Sequence, residues 1–153
     1  MKELVIDTCI LGIVANQEED AMTAAGLLEE ILRNHSIAVD RQGTIINEYQ
    51  NQIVRLDMLK NWWVSMSKIH RKIRCKWNRL DNRQLDALNE LGFDPDDVPF
   101  VEVAACTSDK VIVTEDSDYY ANECRVREYL RAHIGVDVLR MEEARRVIYT
   151  TDR

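Results

Sequence analysis

Most of the devices that build cofactor loops, thiolate centres or membrane spans are missing from this chain. It has no Gly-rich phosphate loop of the GxGxxG or GxxxxGK[ST] form, so a nucleotide cofactor loses its usual support. Its four cysteines, Cys9, Cys75, Cys106 and Cys124, form no CxxC pair, and the three histidines, His35, His70 and His133, are as widely spread. Zinc needs its ligands at short spacings and disulfides need an oxidising compartment, so reduced thiols are expected and a thiol–metal centre is not. Two prolines and five glycines leave no room for a linker or a low-complexity tail. No apolar run is long enough to span a bilayer. The start, MKELVID, lacks a signal-peptide layout and leads straight into a strand. A cytoplasmic protein without membrane association is the expectation.

What is present fits one compact domain over 1–153, with 46% hydrophobic and 31% charged residues. The net charge of −7 argues against a general nucleic-acid binder. Its distribution is uneven, however. Between Lys60 and Arg83 stand eight basic residues and one acid, Asp81, so this segment carries +7 and the remainder −14.

Apolar spacing predicts strands alternating with helices. KELVID reads as a buried strand ending at Asp7, and SIAVD as a second ending at Asp40. VIVT is a third strand, followed by the acids of EDSD, and GVDVL is a fourth. Helical spacing runs from Glu18 to Asn34, then along Ile46, Tyr49, Ile53, Leu56 and Leu59, then around Leu85, Leu88 and Leu91. A further helix starts near Asp96 or Asp97, one runs from about Asp118 to Ala132, and MEEARRVIY forms the last. The fold class predicted is α/β: three layers, α/β/α, around a central, mostly parallel sheet of four or five strands. Ligands in such sheets bind beyond the carboxyl ends of the strands, and three of these ends carry an acid: Asp7, Asp40 and Asp116.

Glu48, early in the helix after the second strand, and Asp97, at a helix start, fall at the same edge. Asp7, Glu48, Asp97 and Asp116, with Asp118 behind, are thus placed to converge. Clustered carboxylates raise one another's pKa unless a cation neutralises them, and an all-oxygen donor set suits Mg²⁺ or Mn²⁺. Two such ions can activate water and stabilise the leaving oxygen in phosphodiester hydrolysis.

The arrangement resembles the PIN-domain ribonucleases, a fold of toxin–antitoxin nucleases and stand-alone RNA-processing enzymes. The resemblance runs from LVIDTCIL, through IINEYQ and DVPFVEVA, to VIVTEDSDY. It implies that Asp7, Glu48, Asp97 and Asp116 are the catalytic acids, holding Mg²⁺ or Mn²⁺ with Asp118 as auxiliary ligand. Asp94, Asp96, Asp97 and Glu102 all stand near the position of the third acid; Asp97 fits best by its distance to Phe100 and Ala104, and Glu102 is the reserve. Where the family usually has Ser or Asn two residues after the first acid, this chain has Cys9, a weaker donor. The implied activity is endoribonucleolytic hydrolysis by water attack. An antitoxin or other protein partner and a homodimer are expected to accompany it.

Lys68, Arg71, Lys72, Arg74 and Lys76 are the expected RNA phosphate contacts. Trp62 and Trp63 beside them are assigned to the core or an interface. A second reading is a catalytically inactive PIN-like module that binds RNA or a protein partner, and Cys9 supports it. A phosphatase of the haloacid-dehalogenase type needs a DxD pair at the first strand, and Asp7-Thr8-Cys9 lacks the second carboxylate.

Overall fold

The structure, a computed structural model, describes residues 1–77 and 79–149. The last four residues of the expected domain, 150–153, lie outside the described residues. In chain order the elements are β1 (Glu3–Ile6), α1 (Thr8–Ala15), α2 (Ala21–Asn34), β2 (Ser36–Asp40), α3 (Thr44–Ile53), α4 (Asp57–Lys68) and β3 (Ile73–Lys76). Then come α5 (Asn82–Glu90), α6 (Val98–Cys106), β4 (Val111–Val113), α7 (Ala121–Tyr129), β5 (Asp137–Leu139) and α8 (Met141–Ile148). Short 3₁₀ turns occupy Pro95–Asp97 and Ser117–Tyr119.

All five strands pair in parallel, in the order β3-β2-β1-β4-β5. The chain winds outward from β1 in one direction to β3, then crosses back to β4 and on to β5. Right-handed crossovers therefore put α1–α4 on one face, and α5, α6 and α7 on the other. Contacts agree: α1 to α4 pack among themselves, and α6 spans β1, β2 and β4. This is the expected three-layer α/β fold, with five strands. Covered on both faces, β1 and β4 are buried along their whole length and need no alternation of polar and apolar residues. The winding reverses between β1 and β4, and the crevice at that reversal opens at the carboxyl edge.

Helix α2 buries Ala24, Leu27, Leu28 and Ile31, one stripe at helical spacing. Fully buried Tyr49 on α3 donates its hydroxyl to the Ile6 carbonyl at 2.5 Å, which pins α3 under the end of β1 and brings its neighbour Glu48 to the crevice. Trp62 is buried and donates Nε1–H to the Leu28 carbonyl at 2.8 Å, and Trp63 meets Tyr49 edge-on. Both tryptophans belong to the core.

Four expectations are corrected. No element was assigned between Asp7 and Glu18, where α1 forms; its residues Ile10, Leu11, Gly12 and Val14 are all buried, so no polar face marks the period. The single helical face from Ile46 to Leu59 is two helices, α3 and α4, broken at 54–56. β3 lies inside the basic segment, where Arg74 and Lys76 hid its pattern; charges of this kind blunt an edge strand against further pairing. The helix expected over 118–132 begins as a 3₁₀ turn and is interrupted where Asn122, Glu123 and Cys124 adopt left-handed φ of 53°, 57° and 65°. Nothing in the packing explains that interruption.

Candidate metal centre

The site is built from the residues that leave the strands at the reversal. Asp7 follows β1, is 3% exposed, and receives the Thr114 hydroxyl at 2.6 Å. Thr114, completely buried after β4, accepts in turn from the Asp116 amide at 2.9 Å. One hydroxyl thus ties the first acid to the turn carrying the fourth. Cys9 Sγ lies 3.5 Å from the Thr114 hydroxyl and accepts from the Glu115 amide at 3.4 Å. Burial and the nearby Asp7 push the Cys9 thiol up to about 12, so it stays protonated. The weaker donor is therefore present as an uncharged strut beside Asp7.

Two Asp-x-Asp turns face each other across the crevice. Asp94 caps the turn Pro95–Asp97 by accepting from the Asp96 amide, and Asp116 caps Ser117–Tyr119 by accepting from the Asp118 amide, both at 2.9 Å. Asp97 makes no capping bond of its own; Asp94 caps instead. Carboxylate oxygens of Asp94, Asp97 and Asp118 come within 4.8 Å of one another.

Electrostatics join this trio to the other acids. Burial, followed by Asp7, Asp116, Asp94 and Asp118, lifts Asp97 to about 8. Asp7 is raised chiefly by burial, with Asp116 adding to the rise against the lowering hydrogen bonds of Thr114 and Cys9. Glu48 is raised by burial and then by Asp7, Asp96, Asp40 and Asp94, and its Oε2 is buried without a hydrogen-bond partner. Asp118 is raised by desolvation, Asp116 and Asp94. Tyr119 is fully buried, its hydroxyl lacks a partner, and burial with Asp7, Asp97 and Asp116 holds it protonated. Retained protons relieve the mutual repulsion of these carboxylates, and the Asp94, Asp97 and Asp118 trio could hold a cation that does the same.

Of the expected acids, Asp97 and Asp118 come together, with Asp94, in one carboxylate trio; Asp7, Glu48 and Asp116 stand outside that trio and act on one another or on its members electrostatically. The signal for Asp94 was the repeat of the Asp-x-Asp turn in DPDD and DSD. Glu102 points elsewhere: it accepts from the Leu80 amide at 2.8 Å. Asp40 caps α3 through the amides of Thr44 and Ile45 at 3.1 and 2.8 Å. Glu115 accepts from the Met141 amide at 3.1 Å and so anchors the start of α8.

The expected RNA-binding cations fall apart as a group. Ile37 is level with Ile73 and Asp40 with Lys76, so Lys68 at the end of α4 and the turn with Arg71 and Lys72 lead into β3 from the amino edge, opposite the acids. Arg74 and Lys76 both pair with buried Glu3, each at 3.1 Å. Lys72, 7% exposed, donates to the carbonyls of Ile31 and His35 at the end of α2. Its replacement by alanine is expected to cost about 1–3 kcal/mol of stability, because these carbonyls lose a charged donor. Urea unfolding measures that loss, and a change under 0.5 kcal/mol, on the order of a surface substitution, would contradict it.

No protein-family model matches the sequence, and no curated protein matches it. Among solved structures, the chain is similar to a chain in the crystal structure of VapBC2 from Rickettsia felis bound to a DNA fragment from their promoter. Identity is 12% and the TM-score 0.45, over 90% of this chain and 98% of that one. Among the described residues no helix is long and apolar enough to cross a membrane.

Proposed function

We propose that the protein is a PIN-like, divalent-cation-dependent endoribonuclease across 1–153, hydrolysing RNA phosphodiester bonds at the β1/β4 crevice. The observation that carries this reading is the convergence of Asp94, Asp97 and Asp118 beside buried Asp7, with Asp97 lifted to about 8. The donor set fits the ion: every ligand is a carboxylate oxygen, as Mg²⁺ or Mn²⁺ prefers, and Glu48 Oε2 is buried without a partner. Asp97, Asp94 and Asp118 would hold the cation, with Asp7, Glu48 and Asp116 directly or through water.

Once bound, the ion supplies positive charge where the scissile phosphate gathers negative charge. The chain does the rest. Thr114 and Cys9 fix the direction of the Asp7 carboxylate, while Glu48 on α3 and Asp97 before α6 close the crevice from opposite faces of the sheet. A carboxylate of this cluster takes the proton of the attacking water, so no covalent enzyme intermediate forms. An antitoxin or other protein partner, a homodimer and a cytoplasmic location belong to the same proposal. Because the acids and their supports are all present, the active enzyme is favoured over the inactive module.

Titration calorimetry with Mn²⁺ tests the reading before any substrate is known. The Asp7→Asn protein is expected to bind about tenfold more weakly than the wild type, the loss of one charged partner. Absence of Mn²⁺ binding, or binding indifferent to Asp7, would sink the nuclease.

A further inference from the structure

Beside the acids, at the carboxyl ends of β2 and β3, lies an open cavity of about 440 Å³. It abuts the cluster at two points. Asp40 stands in its wall within the field of Glu48, and Val98 in its wall directly follows Asp97. Both carboxylates of that wall, Asp40 and Glu102, already accept backbone amides. The cations are less engaged. Lys76 reaches Glu3, but Arg79 pairs with no carboxylate among the described residues. Its guanidinium lies 5.5 Å from the centre of the Trp77 ring, and Trp77 is 54% exposed.

We propose that this cavity, with Arg79 in its lining, and Trp77, which stands outside the lining against Arg79, form a subsite for a nucleotide of single-stranded RNA, with the base on the Trp77 ring and its phosphate on Arg79. The choice of RNA rests on the nuclease reading; the chemistry of the subsite does not. A phosphate needs a cation not already neutralised, and Arg79 is one. An unpaired base presents a π-face, and a half-exposed indole beside a guanidinium is the surface on which such a face stacks. Bases inside a duplex are stacked on one another and cannot enter, so the subsite selects single strands. Asp40 and Val98 in the cavity lining mark the side that adjoins Glu48 and Asp97, so a strand leaving the cavity on that side runs towards the acids. These cations do what the opposite-edge residues Lys68 and Arg71 cannot.

The test is fluorescence anisotropy of a labelled single-stranded RNA, about ten nucleotides long, with the full chain in EDTA so that no cleavage intervenes. Trp77→Ala and Arg79→Gln are each expected to weaken binding about tenfold, and Arg79→Gln to flatten the salt dependence as well. Arg71→Gln, on the opposite edge, is expected to stay within about twofold of wild type. Trp77 and Arg79 are on the surface, and thermal melts check that the variants remain folded. Equal binding by the Trp77 and Arg79 variants and wild type, no RNA binding at all, or a duplex bound as tightly as the single strand would each overturn the proposal. In the first case the Trp77–Arg79 pair is left to a protein partner. RNA binding that depends on Trp77, in a protein that takes up no Mn²⁺, would uphold the subsite while the nuclease fails.

Discussion

The Asp97→Asn protein is expected to bind Mn²⁺ about a hundredfold more weakly than the wild type, yet to melt higher than the wild type at pH 9 when metal is removed. Both halves follow from the lift of Asp97 to about 8 against an ordinary value of 3.8. In the folded protein this carboxyl keeps its proton across a range in which the unfolded chain has released it. Stability from that difference is full below about pH 4 and is lost as pH rises through about 8. Metal-free wild type therefore weakens between these limits, whereas an amide at this position carries no charge and escapes the loss. Asp97 is only partly buried, so solvent screens part of the gain. A rise of about 3 °C, near 1 kcal/mol for a chain of this size, is the expected scale. The same proton opposes the ion: wild-type affinity should rise with pH up to about 8 and then level off, with proton release on binding. Scanning calorimetry in EDTA at pH 6 and pH 9, and Mn²⁺ titrations in two buffers of different ionisation enthalpy, read each effect. A midpoint that falls at pH 9 on substitution, or unchanged Mn²⁺ affinity, would refute the placement of Asp97 at the centre of the cluster.

How much of this was legible in the sequence depends on how local the signal is. Asp7, Asp40 and Asp116 were placed at one edge because each ends or follows a short buried strand, and parallel pairing puts those ends together. Glu48 was recoverable from the helical spacing of Tyr49 and Ile53, since the residue beside a buried anchor has its position fixed by it. The basic segment could not be apportioned from sequence, because charge along the chain says nothing about which edge of a sheet a residue reaches. Register alone shows that Lys68 and Arg71 precede β3 while Arg79 follows it. Lys72 was unreadable for another reason: the carbonyls it caps lie across the fold on α2, at separations that no local pattern encodes. Asp94 was in plain view among four neighbouring acids. Only the facing turns distinguish it, for its oxygens meet those of Asp118 from the far side of the crevice.

Thr114 is where fold and site share one atom, and the Thr114→Val protein is expected to lose both. The hydroxyl donates to Asp7 at 2.6 Å and accepts from the Asp116 amide at 2.9 Å, with no exposure to water. Valine keeps the shape and removes the oxygen, leaving a buried carboxylate and a part-buried amide each short of a partner. The cost to stability is expected to be about 2–3 kcal/mol, the scale of unmade buried hydrogen bonds to a charged group. Losing that donor also removes a lowering influence on Asp7, whose pKa moves further up, so more of it is protonated when the ion must be bound. Mn²⁺ affinity should drop about 10–100-fold, as when the support behind a metal ligand is lost. Thr114→Ser separates this from packing, since it restores the hydroxyl and sacrifices only the methyl. Serine should recover metal affinity to within about threefold of wild type while remaining about 1 kcal/mol less stable. If the valine protein bound Mn²⁺ as the wild type does, the hydroxyl would be a strut of the fold alone, and the direction of Asp7 would have to come from α1 and Cys9.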